Sequence, residues 1–156
     1  LKKLPSFIAA RIRNWEFLRK QLVGLEDVID FMLPTHASSW SPSGFSWAAG
    51  KPVVEPSWFG FMMLVKPNAK FSRTDLARAL DQAKIGNRML FGGNLVRQPA
   101  FVQLRQDSQG KAFRVVGDLQ GADRIMNEAV FVGTYPGLDE EKLSYIASII
   151  RSVAKA

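Results

Sequence analysis

Cysteine is absent from these 156 residues, and histidine occurs once, as His36. The first absence excludes a disulfide, or a thiolate-held metal or cluster, within this piece. The second argues against an imidazole metal centre, because a metal ion needs several converging ligands. No apolar run reaches the roughly 18 residues that span a bilayer, so no membrane contact is expected and a cytoplasmic location is. Acidic residues are scarce: 14 Asp and Glu stand against 21 Lys and Arg, for a formal net charge of +7. That balance favours an anionic partner, whether nucleic acid, acidic lipid or a phosphorylated small molecule. The basic residues are scattered, and no zinc-finger spacing, helix-turn-helix pattern or RNA-recognition motif accompanies them. A basic nucleic-acid-binding module is therefore only a distant alternative. With 47% hydrophobic and 22% charged residues, the composition is that of one globular domain with a real core.

Leu4, Ile8, Ile12, Trp15, Leu18 and Leu22 recur at three or four residues, which predicts a helix over 4–23 stopped by Gly24. Residues 34–56 are rich in Ser, Pro and Gly and read as a long loop, yet they carry Trp40, Phe45 and Trp47. Residues 57–65 form a nearly continuous apolar run, read as a buried strand ending before Pro67. Ser72 followed by Asp75 predicts a capping box for a helix over 73–83, with Phe71 stapled to Leu76. Residues 84–90 read as a second strand, 99–104 as a short helical turn, 118–126 as a helix and 129–134 as a third strand. A last helix follows Leu138 and Asp139, with Leu143, Ile146, Ala147, Ile150 and Val153 inward. Three short strands with helices on one side make an α+β, two-layer domain.

One segment reads as a site: Arg88-Met89-Leu90-Phe91-Gly92-Gly93-Asn94-Leu95-Val96-Arg97-Gln98-Pro99-Ala100. Paired glycines permit a sharp turn and close approach of a ligand. The Asn94 amide can donate and accept, and the planar forks of Arg88 and Arg97 suit phosphate or carboxylate. Taken alone it is equally a surface turn.

This segment resembles one family when read with Pro56-Ser57-Trp58-Phe59-Gly60-Phe61, Val116-Gly117-Asp118-Leu119, Ala122-Asp123-Arg124-Ile125-Met126 and Tyr135-Pro136-Gly137-Leu138. The resemblance is to the C-terminal region of the nucleotide-sugar 3-dehydrases of lipopolysaccharide dideoxysugar synthesis, which act on CDP-4-keto-6-deoxyglucose. They are a branch of the fold type I pyridoxal-phosphate sugar-aminotransferase superfamily. It covers essentially the whole chain, although residues 34–56 look longer than the family pattern. It implies that residues 1–156 are a single C-terminal small domain with a short, mainly antiparallel sheet. The N-terminal cofactor-binding large domain would lie outside this piece, and the opening Leu1-Lys2-Lys3-Leu4-Pro5 is read as a position inside a longer protein. Catalytic groups, pyridoxal or pyridoxamine 5'-phosphate and a cysteine-ligated iron–sulfur cluster would all belong to that missing part. The piece alone is then expected to be inactive and to bind no cofactor. In such enzymes the cofactor acts as an electron sink while the sugar 3-hydroxyl leaves.

The resemblance assigns Arg88, Phe91, Gly92, Gly93, Asn94 and Arg97 to the substrate wall, and places Trp58 and Phe59 at the cofactor cleft. For each a structural role competes: a salt bridge to the large domain for the arginines, turn stabilisation for Asn94, and strand packing for Trp58 and Phe59. Expected partners are a nucleotide sugar, the chain's own N-terminal domain, a second copy in a homodimer and an iron–sulfur flavin reductase. A nucleotide-sugar aminotransferase is the alternative within the superfamily, separated by a lysine upstream.

Overall fold

The computed structural model describes residues 1–155. Helix α1 (Leu4–Gln21) is followed by strands β1 (Ile29–Phe31), β2 (Ala37–Ser41), β3 (Gly44–Trp47) and β4 (Gly60–Val65). Helix α2 (Arg73–Gln82) and strand β5 (Asn87–Met89) lead to a 3₁₀ turn at Leu95–Arg97. Helices α3 (Pro99–Asp107) and α4 (Gln120–Glu128), strand β6 (Ala129–Gly133) and helix α5 (Glu140–Lys155) complete the order. The main sheet is antiparallel throughout, in the order β1-β4-β6-β5. The α+β class thus holds, with four strands in that sheet where three were expected.

Alternation along the strands splits the sheet into two faces. Ile29, Phe61, Met63, Val65, Val130 and Val132 face the helices, where Trp15, Leu18 and Leu22 of α1 meet Leu76 and Leu80 of α2 and Leu143, Ile146 and Ile150 of α5. Asp30 and Phe131 belong to the other set. Helix α4 contributes nothing to this core. It is tied to Asp30 through Arg124, which also bonds Glu128 at 2.8 Å.

The predicted caps form as the local sequence requires. The Ser72 hydroxyl accepts from the Asp75 N–H at 3.2 Å, and the Asp75 carboxylate accepts from the Ser72 N–H at 2.9 Å. The Asp139 carboxylate accepts from the Lys142 N–H at 2.9 Å and caps α5. Helix α1 ends at Gln21, and the Gly24 N–H is taken by the Glu26 carboxylate at 2.7 Å.

The expected loop over 34–56 is corrected: β2 and β3 pair as a hairpin, with Trp40 opposite Phe45. Its serine-rich strands carry little β signal, and what holds them is distant in sequence. Trp40 meets Trp15 edge-on at 6.3 Å and Phe45 meets it at 5.3 Å. Arg19 lies between the rings of Phe31 and Trp40, 4.3 and 4.6 Å from their centroids. The apolar stripe of α1 is also divided. Trp15, Leu18 and Leu22 are buried, whereas Leu4 is exposed and Ile8 is only half-buried.

Candidate functional site

The strand β5 and the chain after it carry the predicted segment onto the sheet face away from the three core helices. Arg88 stands opposite Phe131 in the β5–β6 register. Phe131 is the centre of an aromatic wall: Phe59 lies 5.8 Å from it and Phe91 6.0 Å, the latter edge-on. Phe59 and Phe91 are 69% and 75% exposed, unusual for rings of that size in a folded chain.

This wall separates two open clefts. One, of about 510 Å³, is bounded by Arg11, Asn87, Arg88 and Tyr135 together with the three phenylalanines. No carboxylate lines it. Among the described residues neither arginine enters a salt bridge. The Arg11 Nη1 donates to the Trp58 carbonyl at 2.8 Å, and the Arg88 Nη1 to the Asn87 carbonyl at 2.8 Å. These bonds orient the guanidinium groups without neutralising them. The second cleft, about 460 Å³, is more apolar and is lined by Met32, Leu33, Met62 and Leu90 beside the same rings, with Trp58 at its border.

The glycine turn is held from two sides. Phe91 adopts φ 45° and Gly93 φ 59°, so this turn twice enters the left-handed region that side chains disfavour. Gln98 reaches back to donate to the Gly92 carbonyl at 2.7 Å. Asn94 is almost wholly buried. Its Oδ1 accepts from the Val96 N–H at 3.3 Å, and its Nδ2 donates to Asp123 Oδ1 at 2.8 Å. The Arg97 guanidinium closes on both oxygens of the same carboxylate. The charge-assisted bonds from Arg97, then the Asn94 amide, pull the Asp123 carboxyl down from 3.8 to about 2.

The expected site residues therefore separate. Arg88, Phe91 and Phe59 come together at the first cleft. Gly92, Gly93 and Asn94 shape the turn behind it. Arg97 is not at the cleft; its fork is spent on Asp123, 26 residues further along the chain. Trp58 and Phe59 both border the second cleft, but their rings meet different partners: Phe59 packs against Phe131. The Trp58 ring stacks on Trp15 at 4.6 Å and 10°.

Sequence reasoning missed four participants. Arg11 lay on a helix read as packing. Asn14, fully buried on α1, donates to the Tyr135 carbonyl at 2.9 Å and fixes the turn after β6. Phe131 lay in the strand candidate 129–134, and a strand candidate does not show which face is covered. Asp123 was quoted in a motif, but its partner was invisible. Among the described residues no group of His, Asp and Glu is arranged to hold a metal ion, and no helix is long and apolar enough to cross a membrane.

Residues 1–151 match the model of the DegT/DnrJ/EryC1/StrS aminotransferase family, and the chain belongs to that family. It is 36% identical over 148 residues to the lipopolysaccharide biosynthesis protein RfbH of Salmonella typhimurium, covering 95% of this chain and 29% of that protein. It is 35% identical over 157 residues to the dTDP-4-dehydro-2,6-dideoxy-D-glucose 3-dehydratase of Saccharopolyspora spinosa, covering 100% of this chain and 29% of that one. Among solved structures it resembles an E. coli GDP-4-keto-6-deoxy-D-mannose-3-dehydratase with bound hydrated PLP. The TM-score is 0.68 at 23% identity, covering 96% of this chain and 32% of that one, a likeness of fold. The chain thus spans under a third of the length of the relatives it matches.

Proposed function

We propose that this chain is the C-terminal domain of a nucleotide-sugar 3-dehydratase that uses pyridoxal or pyridoxamine phosphate. The enzyme would remove the 3-hydroxyl of a nucleotide-linked 4-keto-6-deoxyhexose for deoxysugar and lipopolysaccharide synthesis. The observation that carries this reading is the likeness, along the full length of the chain, to a relative named for 3-dehydration. The first cleft supports it. Two guanidinium groups without a facing carboxylate suit a diphosphate, and the exposed rings of Phe59, Phe91 and Tyr135 suit the flat or apolar parts of the same ligand. Arg11 and Arg88 would hold the diphosphate, while the phenylalanine wall would exclude water from the sugar side. The names of the relatives carry both dTDP and GDP, so the nucleotide is read from this chain only as a nucleoside diphosphate.

Neither of the two clefts is lined by a lysine or histidine that could carry pyridoxal phosphate covalently. On this reading the cofactor, the acid–base groups and an iron–sulfur cluster belong to a preceding large domain. The chain's partners are that domain, a second copy of the protein and an electron-supplying flavin reductase.

The test is product analysis with the full-length protein. It would be given CDP-, dTDP- and GDP-linked 4-keto-6-deoxyhexoses with pyridoxamine phosphate, and the products read by mass spectrometry. Loss of the 3-oxygen is the expected result. Glutamate-dependent gain of an amino group at C4 would instead identify a sugar aminotransferase.

A further inference from the structure

We propose that Asp123 is a positioning residue for the substrate wall, acting as a clasp that locks the Phe91-Gly92-Gly93 turn to helix α4. The inference rests on the reading above for what the wall binds, but the clasp itself stands on geometry. Helix α4 has no fully buried residue and adds nothing to the main core; Ala122, Ile125 and Met126 are only half-buried. Polar ties add to that packing. Arg124 joins it to Asp30, Arg73 donates to the Met126 carbonyl near its end at 2.9 Å, and Asp123 in its first turn takes the Asn94 amide and the Arg97 fork. The turn is equally dependent. It holds two residues at positive φ, and of its own side chains only Asn94 is buried. The carboxylate of Asp123 thus joins two elements that the main core does not include.

The consequence reaches the cleft. Helix α4 runs directly into β6, which carries Phe131, while the turn carries Phe91. The edge-on contact between these rings therefore depends on the junction behind them. Gly93 adds a steric lock at the same place: a Cβ there would fall 2.5 Å from Met126 Cγ, so the Met126 side chain already packs against the bare turn. In this assignment Arg97 holds the wall and does not touch substrate, and Arg88 remains the cation facing the cleft.

The test uses the full-length protein and the variants Asp123→Ala, Asp123→Asn and Arg97→Ala, with two readouts. The first is amide hydrogen exchange, which needs no activity. Exchange at residues 91–98 should rise at least 10-fold, while β6 and α5 stay as in the wild type. The second is turnover of the nucleotide-linked 4-keto-6-deoxyhexose that the wild type accepts. Here kcat/KM should fall at least 10-fold in all three variants, and the Asp123→Ala/Arg97→Ala double variant should be no worse than either single one. Unchanged exchange at 91–98 overturns the clasp. So does a kcat/KM within twofold of wild type once the turn has loosened, because the wall would then not need it. A 97-only effect, with Asp123→Asn normal, returns Arg97 to direct substrate contact and also overturns the proposal. If Asp123→Ala fails to fold, Asp123→Asn and Arg97→Ala decide by the same criteria. A wild type inactive on every nucleotide sugar defeats the functional reading alone, and the exchange result still decides the clasp.

Discussion

Gly93→Ala offers a quantitative check of how the turn meets α4. Two costs add. The residue sits at φ 59°, where a Cβ costs about 1–2 kcal/mol relative to glycine. The new methyl would also lie 2.5 Å from Met126 Cγ and 2.9 Å from its Cβ. Overpacking of that kind costs about 1–3 kcal/mol. The expected loss is about 2–5 kcal/mol, or roughly 4–20 °C in Tm for a chain of this size. Gly92 is the internal control. It has no positive φ, and its Cβ would meet only the rotatable Leu95 Cδ2 at 3.1 Å, so Gly92→Ala should stay within about 0.5 kcal/mol of wild type. Urea unfolding followed by tryptophan fluorescence gives both numbers. The double variant Gly93→Ala/Met126→Ala separates the two costs, since it removes Cγ and Sδ but leaves the strained φ. It should recover about 1 kcal/mol against the sum of the single variants. A Gly93→Ala loss below 0.5 kcal/mol, or strict additivity with Met126→Ala, would refute the argument.

Trp15→Ala should cost about 3–5 kcal/mol, because the ring is buried among Trp40, Phe45, Trp58 and Phe61. Hydrogen exchange should show the β2–β3 hairpin opening well before the main sheet, and equal loosening of both would be the contrary result. Asn14→Ala leaves the Tyr135 carbonyl without its amide and should cost about 1–3 kcal/mol. Chemical denaturation measures it, and a neutral outcome would mean that water replaces the bond. The Asp123 carboxyl, depressed to about 2, contributes stability that is fully present above its unfolded value of 3.8 and is lost only as pH falls through about 2. The amide shifts of Gly93 and Val96 should therefore show no titration step between pH 8 and pH 4, and a midpoint near 3.8 would contradict the clasp.

What could be read in advance follows from the range over which each interaction acts. The caps at Ser72 and Asp139 lie within three residues of their partners, and both formed. The inward face of α5 repeats every three or four residues, and it too was legible. Strand β1 was not. Three residues give a single alternation, and their reason to pair is β4, more than 30 positions away. The hairpin failed for a related cause: its serines say loop, while its aromatics find their partners on α1.

The site divides along the same line. Local chemistry singled out residues 88–100, since glycines, an amide and arginines at close spacing are themselves the signal. Which arginine faces a ligand was a long-range question. Both have the same side chain, and neither position showed in advance what its guanidinium would meet. Only the fold brings Asp123 to Arg97 and leaves Arg88 beside Arg11 in a cleft without a carboxylate. A guanidinium already closed on an acid must lose that bond to reach a phosphate, whereas one bonded only to a backbone carbonyl keeps its charge uncompensated. On that ground Arg88, with Arg11 as the residue sequence alone had passed over, is where an anionic substrate should be felt first. Arg88→Ala should accordingly raise the KM for a nucleotide sugar while leaving exchange at residues 91–98 unchanged. That is the opposite signature to Asp123→Ala, and the pair of variants tells holding a ligand from holding the wall.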